Sequence, residues 1–420
     1  MRCPWEALLP ANAIQKARRA VDTDAAQPAI SEAARLLADV NELAPQFAAR
    51  ADEIERGRRI PDDIIETLRR IGLFGALVPR SHGGLGLRFP DVLPVIATLA
   101  AGDGSIGWIA TIGMNSQLFC SRLPRPTYDR IYGGGANPFI AGSGIPVGSA
   151  EIVDGGYRVF GRWPFASGCQ NARWLMGHCV VCRDGEPVLS GDRATTLFIL
   201  LPAYRWRIED TWRSSGMAGS GSHHIALDDA WVSEFETFDP LHGRSCVPGP
   251  LDSVIAPLIA SSHGATAIGI ATGAIADLLD SAGGCRRPIA AAGLRDFDLD
   301  DSAGFGHDLG WLDAKLRAAR ALLHVQAAQH WCRATAGLLD GQADFTLGLQ
   351  GSAWIHAACT DIVSSCIALD GTRAITSTSP LQRRLRDIYA ARQHFFAQER
   401  FYAAAGRLTL GFPATDPTSG

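Results

Sequence analysis

The chain has 420 residues, of which 47% are hydrophobic and 20% charged, with a formal net charge of −4 and 10 cysteines. That length exceeds one small domain and suits two or three packed units with a sizeable core. The near-neutral balance provides no basic field for nucleic acid and no acidic tail, and no apolar run reaches the roughly 18 residues of a membrane span.

The first 30 residues show little periodicity and read as a loose arm. Their start, "MRCPWEALLPANAIQKARR", lacks a continuous apolar stretch and a small-residue cleavage site, so a cytoplasmic protein is expected. Cysteines without a repeating spacing read as reduced, mostly buried thiols. The one close pair, Cys179 and Cys182, sits in "HCVVCR", a β-type run, and has no second pair to complete a zinc site.

Helical signals begin at Ser31. In "PDDIIETLRRIGLFG" the apolar Ile64, Ile65, Leu68 and Ile71 fall at helical spacing, Pro61 and two aspartates mark the first turn, and Gly72 and Gly75 end it. "SHGGLGLRFPDVLPVIATLAAGDGSIGWIATIGMNSQLFC" reads as a glycine-rich turn and two apolar helices. An N-terminal helical domain is therefore expected over residues 31–135. Short β-type runs follow, among them "GGYRVFGRWPFAS", "WLMGHCVVCR" and "ATTLFILLPA", separated by glycine, proline and aspartate turns. They predict a central β-barrel or sandwich over residues 136–245. From residue 246 to 420 the pattern is helical again. Leu312, Leu316 and Leu323 form one stripe, and "LGLQGSAWIHAACTDIVSSCIALDG" is small and apolar all round, as a helix inside a bundle would be.

That order of segments resembles the acyl-CoA dehydrogenase superfamily over about residues 31–410. "LRRIGLFGALVPRSHGGLGL", "GYRVFGRWPFASGCQNARWLMGHCVV", "DTWRSSGMAGSGSHHIALDDAWV" and "SPLQRRLRDIYAARQH" carry the likeness. It implies an α+β fold: N-terminal helical domain, central β-domain and C-terminal four-helix bundle. Many members place a catalytic glutamate nine residues after the arginine of the final "RD" pair. Counted from Arg386, that position is Phe395, which accepts no proton. "AGSGIPVGSAEIV", "LDGTRAI" and "GGCRRPIAAAG" stand where the family keeps motifs that grip FAD. These departures fit the oxygenase branch, the two-component flavin-dependent monooxygenases, which "GSIGWIATIGMNSQ" and "LRAARALL" also resemble.

The resemblance implies a cofactor, partners and site residues. The cofactor is reduced FMN or FAD, supplied by a separate NAD(P)H-dependent flavin reductase and reacting with O2 to give a C4a-hydroperoxide. The substrate is a small aromatic or polycyclic molecule, and the assembly a homotetramer. His394 falls on the histidine that the branch sets near flavin and substrate, where an imidazole can take or give a proton near neutral pH. Ser167 of "FASG" stands where dehydrogenases bond flavin N5. Trp163 and Phe165 are candidates to flank the flavin ring, Ser220 and Ser222 of "GMAGSGSHH" to hold its edge or phosphate, and Arg286 or Arg287 to meet the phosphate. His223 and His224 lie in the same glycine loop. Asn115, Ser116 and Gln117, with Phe395, line the implied substrate pocket. His263, His307, His324, His330 and His356 lack ligand spacing with carboxylates, so no metal is expected. Other chemistries on the same scaffold are N- or S-oxygenation, or a dehydrogenase with a displaced base; a non-catalytic scaffold subunit is the third alternative.

Overall fold

The computed structural model describes residues 31–135, 137–239, 243–247, 249–250, 256–283, 303–339 and 341–413. The arm 1–30, Arg286 and Arg287 lie outside them.

Six helices open the described chain: α1 (Glu32–Ala48), α2 (Ala51–Gly57), α3 (Asp62–Arg70), α4 (Phe89–Gly102), α5 (Gly104–Cys120) and α6 (Arg125–Tyr132). Ser31 caps α1 by accepting the Ala34 N–H at 3.2 Å, which satisfies one of the unpaired donors of a first turn. Pro61 precedes α3 rather than entering it, and Gly72 turns the chain away at φ +88°, a conformation that costs glycine little. Asp103 ends α4 and caps α5 through the Ile106 N–H at 3.0 Å, so the two helices meet at one buried carboxylate.

Ten strands follow: β1 (Ile140–Val153), β2 (Gly156–Ala166), β3 (Trp174–Arg183), β4 (Glu186–Pro187), β5 (Leu189–Ser190), β6 (Arg193–Ala194), β7 (Thr196–Pro202), β8 (Arg207–Glu209), β9 (His223–Ser233) and β10 (Thr237–Phe238). They do not divide into two facing sheets. One eight-stranded sheet runs β10-β7-β3-β1-β2-β9-β8, with β4 on β3, and β5 and β6 form a small separate pair. β1 and β3 pair in parallel while the other neighbours are antiparallel. The β1–β3 register shifts between Ser143 and Gly148. Gly148, beyond that shift, leaves room for the Trp163 indole, since a Cβ there would sit 2.1 Å from Trp163 Cζ2.

The last five helices are α7 (Ala256–Gly283), α8 (Ala303–Thr335), α9 (Gly341–Asp370), α10 (Pro380–Ala391) and α11 (Phe401–Thr409). α7, α9 and α10 contact one another and α8 packs on α7 and α9, with α7 also against α4 and α5. Leu312, Leu316 and Leu323 turn one side of α8 inward. By length and apolarity α7 and a longer helical run over 341–375 would pass for membrane spans; their apolar windows are 89% and 56% buried within the protein. They serve as core helices here.

Candidate active site

His394 lies beyond the end of α10, not on it. The helix stops at Ala391, and His394, extended at φ −64° and ψ 149°, heads a short 3-10 turn over Phe395–Ala397. Its Nδ1 accepts the Phe396 N–H at 3.4 Å. A neutral ring bonded this way carries its proton on Nε2. Burial, then the imidazoles of His263 and His356, hold its pKa well below the ordinary histidine value.

The ring stacks on His263 with centroids 4.3 Å apart and planes 11° apart. Trp108 meets both edge-on, at 5.2 Å from His394 and 5.1 Å from His263. Phe396 closes against them at 5.4 and 5.0 Å. This cluster joins α5, α7 and the turn after α10. Burial pushes the His263 pKa down to about 4, so its ring is neutral as well.

Trp108 also reaches the β-domain. Its indole nitrogen donates to Ser167 Oγ at 3.0 Å, and Ser167, Ser222 and Ser220 form a chain of hydroxyls with two contacts of 2.7 Å. Ser167 lies two residues after Phe165, which takes φ +60°, and precedes Gly168 at φ +75°. Gly168 N donates to Ser220 O at 2.7 Å, locking the two loops together. The serines named in the sequence thus occupy one network, with His394 on the other side of Trp108.

The remaining candidates divide. Phe165 is 58% exposed, with its ring 6.3 Å from Trp212. Trp163 is fully buried, donates to His178 O at 2.6 Å and packs edge-on against Trp206; it belongs to the core of the sheet. Asn115 exchanges two hydrogen bonds with Ser262 on α7, at 2.9 and 3.1 Å. Ser116 lies 2.8 Å from Ile140 O on β1, and Gln117 accepts the Leu77 N–H at 2.9 Å. These three polar groups therefore tie α5 to its neighbours. Phe395 packs edge-on against Phe401 of α11 at 5.1 Å and stands beneath the Arg400 guanidinium.

The glycine-loop histidines are less free than the sequence suggests. His223 Nδ1 accepts the N–H groups of Thr211 at 3.1 Å and Trp212 at 3.2 Å, which puts its proton on Nε2. That buried Nε2, like His224 Nδ1, has no partner among the described residues. An exposed aromatic ring, unpaired buried ring nitrogens and a run of hydroxyls fit a flat aromatic cofactor with polar edges, such as a flavin.

Three residues here escaped the reading of the sequence. Trp108 was one aromatic in an apolar helix, and only the fold shows that it spans the layers. The sequence presents His263 only as a histidine without metal-ligand spacing, whereas in the fold His394 covers it. Asp387, the aspartate of the "RD" pair, is buried and accepts the Met217 N–H at 2.6 Å. Met217 opens the loop that carries Ser220 and Ser222.

Two family models match the chain: the acyl-CoA dehydrogenase N-terminal domain over residues 25–124 and its C-terminal domain over 261–399. Indole-3-acetate monooxygenase of Pseudomonas putida is 31% identical, the match covering 86% of this chain and 90% of that protein. The FADH(2)-dependent resorcinol hydroxylase oxygenase component of a Rhizobium is 30% identical over the same two shares. Among solved structures, 3-HSA hydroxylase from Rhodococcus sp. RHA1 superposes with a TM-score of 0.82 at 25% identity, covering 91% of this chain and 98% of that one.

Proposed function

This chain belongs to the acyl-CoA dehydrogenase family, and we propose that it is the oxygenase component of a two-component flavin-dependent monooxygenase acting on a small aromatic substrate. The carrying observation is Trp108, whose indole N–H binds Ser167 while its ring abuts His394. A hydroxyl beside the cofactor and a proton-handling group beside the substrate are thereby held at one fixed spacing.

A bound reduced FMN or FAD, delivered by a separate NAD(P)H-dependent reductase, supplies the electrons and the point of reaction with O2. The chain's own residues supply positioning and protons. When Ser167 turns its O–H to Ser222, one of its lone pairs takes the Trp108 N–H and the other remains to accept an N–H from the cofactor ring. Phe165 offers a flat apolar contact, and His223 Nε2–H and the serine run offer polar ones. His394, neutral with its proton on Nε2, is set to donate a hydrogen bond from that N–H to an oxygen atom. Trp108 and Phe396 keep water from that exchange. Phe395 stands where a dehydrogenase base would be, and its edge-on packing on Phe401 gives it a structural occupation instead.

The reading extends to a cytoplasmic homotetramer without a membrane partner. The homotetramer is supported by large apolar side chains left exposed on the chain alone, including Trp311 and Val325 on α8. Light scattering on the purified protein measures the assembly.

The test of function combines the protein with an NADH-driven flavin reductase, FMN or FAD, isotopically labelled O2 and a panel of phenols and indoles. The expected outcome is a hydroxylated product carrying one labelled oxygen. Failure to label any product, with reduced flavin present in excess, overturns the proposal.

A further inference from the structure

His263 is 2% exposed, yet its Nε2 has no partner among the described residues. Its tautomer is settled by the other nitrogen: Nδ1 lies 2.9 Å from Ile259 O, and a carbonyl only accepts, so Nδ1 bears the hydrogen. Nε2 is then a pure acceptor. It belongs to a ring enclosed by Trp108, His394 and Phe396. His356 repeats the arrangement on α9, with Nδ1 donating to Ser352 O at 2.8 Å and a buried, unpaired Nε2. A buried acceptor left unmatched gives up its hydration with no return, so its retention inside an aromatic cluster needs a donor to meet it.

We infer that His263 Nε2 is the recognition acceptor for the O–H or N–H of the aromatic substrate, and that the preferred substrate is a neutral hydrogen-bond donor rather than a carboxylate-bearing anion. The inference rests on the proposed function for its placement of substrate beside His394. The cluster meets the substrate with neutral imidazoles and aromatic faces. Burial is the main influence on His263 and His394, and among the described residues the neighbouring groups that act on them are imidazoles rather than a guanidinium or ammonium. An anion brought among them loses its hydration without gaining a countercharge. A ring N–H or phenol O–H loses one water and gains one acceptor.

The experiment is a binding cycle followed by intrinsic tryptophan fluorescence on the full chain, with and without FMN. The ligands are 3-methylindole, its N-methylated analogue and indole-3-acetate. In the natural protein, N-methylation and the added carboxylate each weaken binding by about tenfold, the effect of one lost hydrogen bond. In His263→Phe, which keeps a ring for the stack but removes the acceptor, N-methylation costs nothing. His263→Gln, with a carbonyl acceptor of its own, restores the discrimination. The inference is overturned if N-methylation costs the same in all three proteins, if indole-3-acetate binds best, or if folded protein binds none of the ligands. Because binding is read without turnover, these outcomes are separate from failure of the labelled-oxygen assay, which bears on the monooxygenase reading alone.

Discussion

The Asp387 carboxylate accepts the backbone N–H of Met217 across 170 residues of sequence, at 2.6 Å. It also crowds the start of α5, since a Cβ on Gly104 would come within 2.8 Å of Asp387 Oδ2. One side chain thus touches the serine loop and the helix of Trp108, and lies on the helix that leads to His394. Asp387→Ala leaves the Met217 N–H buried and unpaired. The expected cost is about 2 kcal/mol, with faster amide hydrogen exchange over residues 214–222. Asp387→Asn keeps an acceptor and is expected to restore both. Equal exchange in the Ala and Asn variants would remove the positioning role.

Ser167→Ala removes the acceptor of the Trp108 indole and one end of the hydroxyl chain. The predicted signature is uncoupling: reduced flavin is still oxidised, but product per flavin falls about tenfold. Trp108→Phe keeps an aromatic ring on the helix but loses the N–H and the second ring, so a loss in the same direction is expected. Product and peroxide measured together decide the matter.

His394→Ala is expected to lower turnover by about a hundredfold or more while the aromatic substrate still binds. Unchanged turnover would exclude the residue from proton transfer.

Gly148→Ala drives a methyl group into the Trp163 ring, whose indole is held by His178 O and Trp206. Overpacking of this kind costs about 1–3 kcal/mol. Thermal unfolding of the single variant, and of its combination with Trp163→Phe, measures how much the smaller ring relieves.

Acid stability follows from the buried histidines. His263, His330 and His356 each have a pKa lowered to about 4, burial being the largest cause. The unfolded chain binds these protons first, near 6.5, so the stabilisation is complete above that pH and is lost as pH falls toward 4. Each histidine removes about 1.4 kcal/mol per pH unit in that window. Asp387, raised to about 7 by burial and by Asp103, works the other way, losing stability as pH rises toward 7. Burial lowers His394 as well and raises Asp103 alongside Asp387, so four histidines stand against two such carboxylates and predict net destabilisation from pH 6.5 down to 4. Chemical denaturation across that range should show it, and Asp387→Asn should steepen the loss.

Much of the fold was legible because its signals are local. Helical spacing around Ile64, Ile65 and Leu68, the stripe of Leu312, Leu316 and Leu323, and the short β-type runs each act within a few residues. The union of the strands into one sheet was not legible. It depends on β1 pairing in parallel with β3 and antiparallel with β2, a choice that no single strand encodes. At the site, family likeness drew attention to His394 and Ser167, and the fold then brought both to Trp108. Trp163 was the harder case, because an aromatic on a strand looks the same from the sequence whether it faces a ligand or fills a notch. Only the glycines at 148, 161 and 177, far apart in the chain, mark the notch. Asp387 was hidden for a similar reason, since its partner Met217 lies in another layer.

The bond from Asp387 to Met217 also orders events in time. A chain emerging from the ribosome completes the helices of the first segment and the whole sheet well before residue 387 appears. Until then the Met217 N–H lacks its acceptor, and the cluster around Trp108 lacks His394. The parts that would steady a cofactor and manage its protons therefore come together only once the helix that carries Asp387 and leads to His394 has formed.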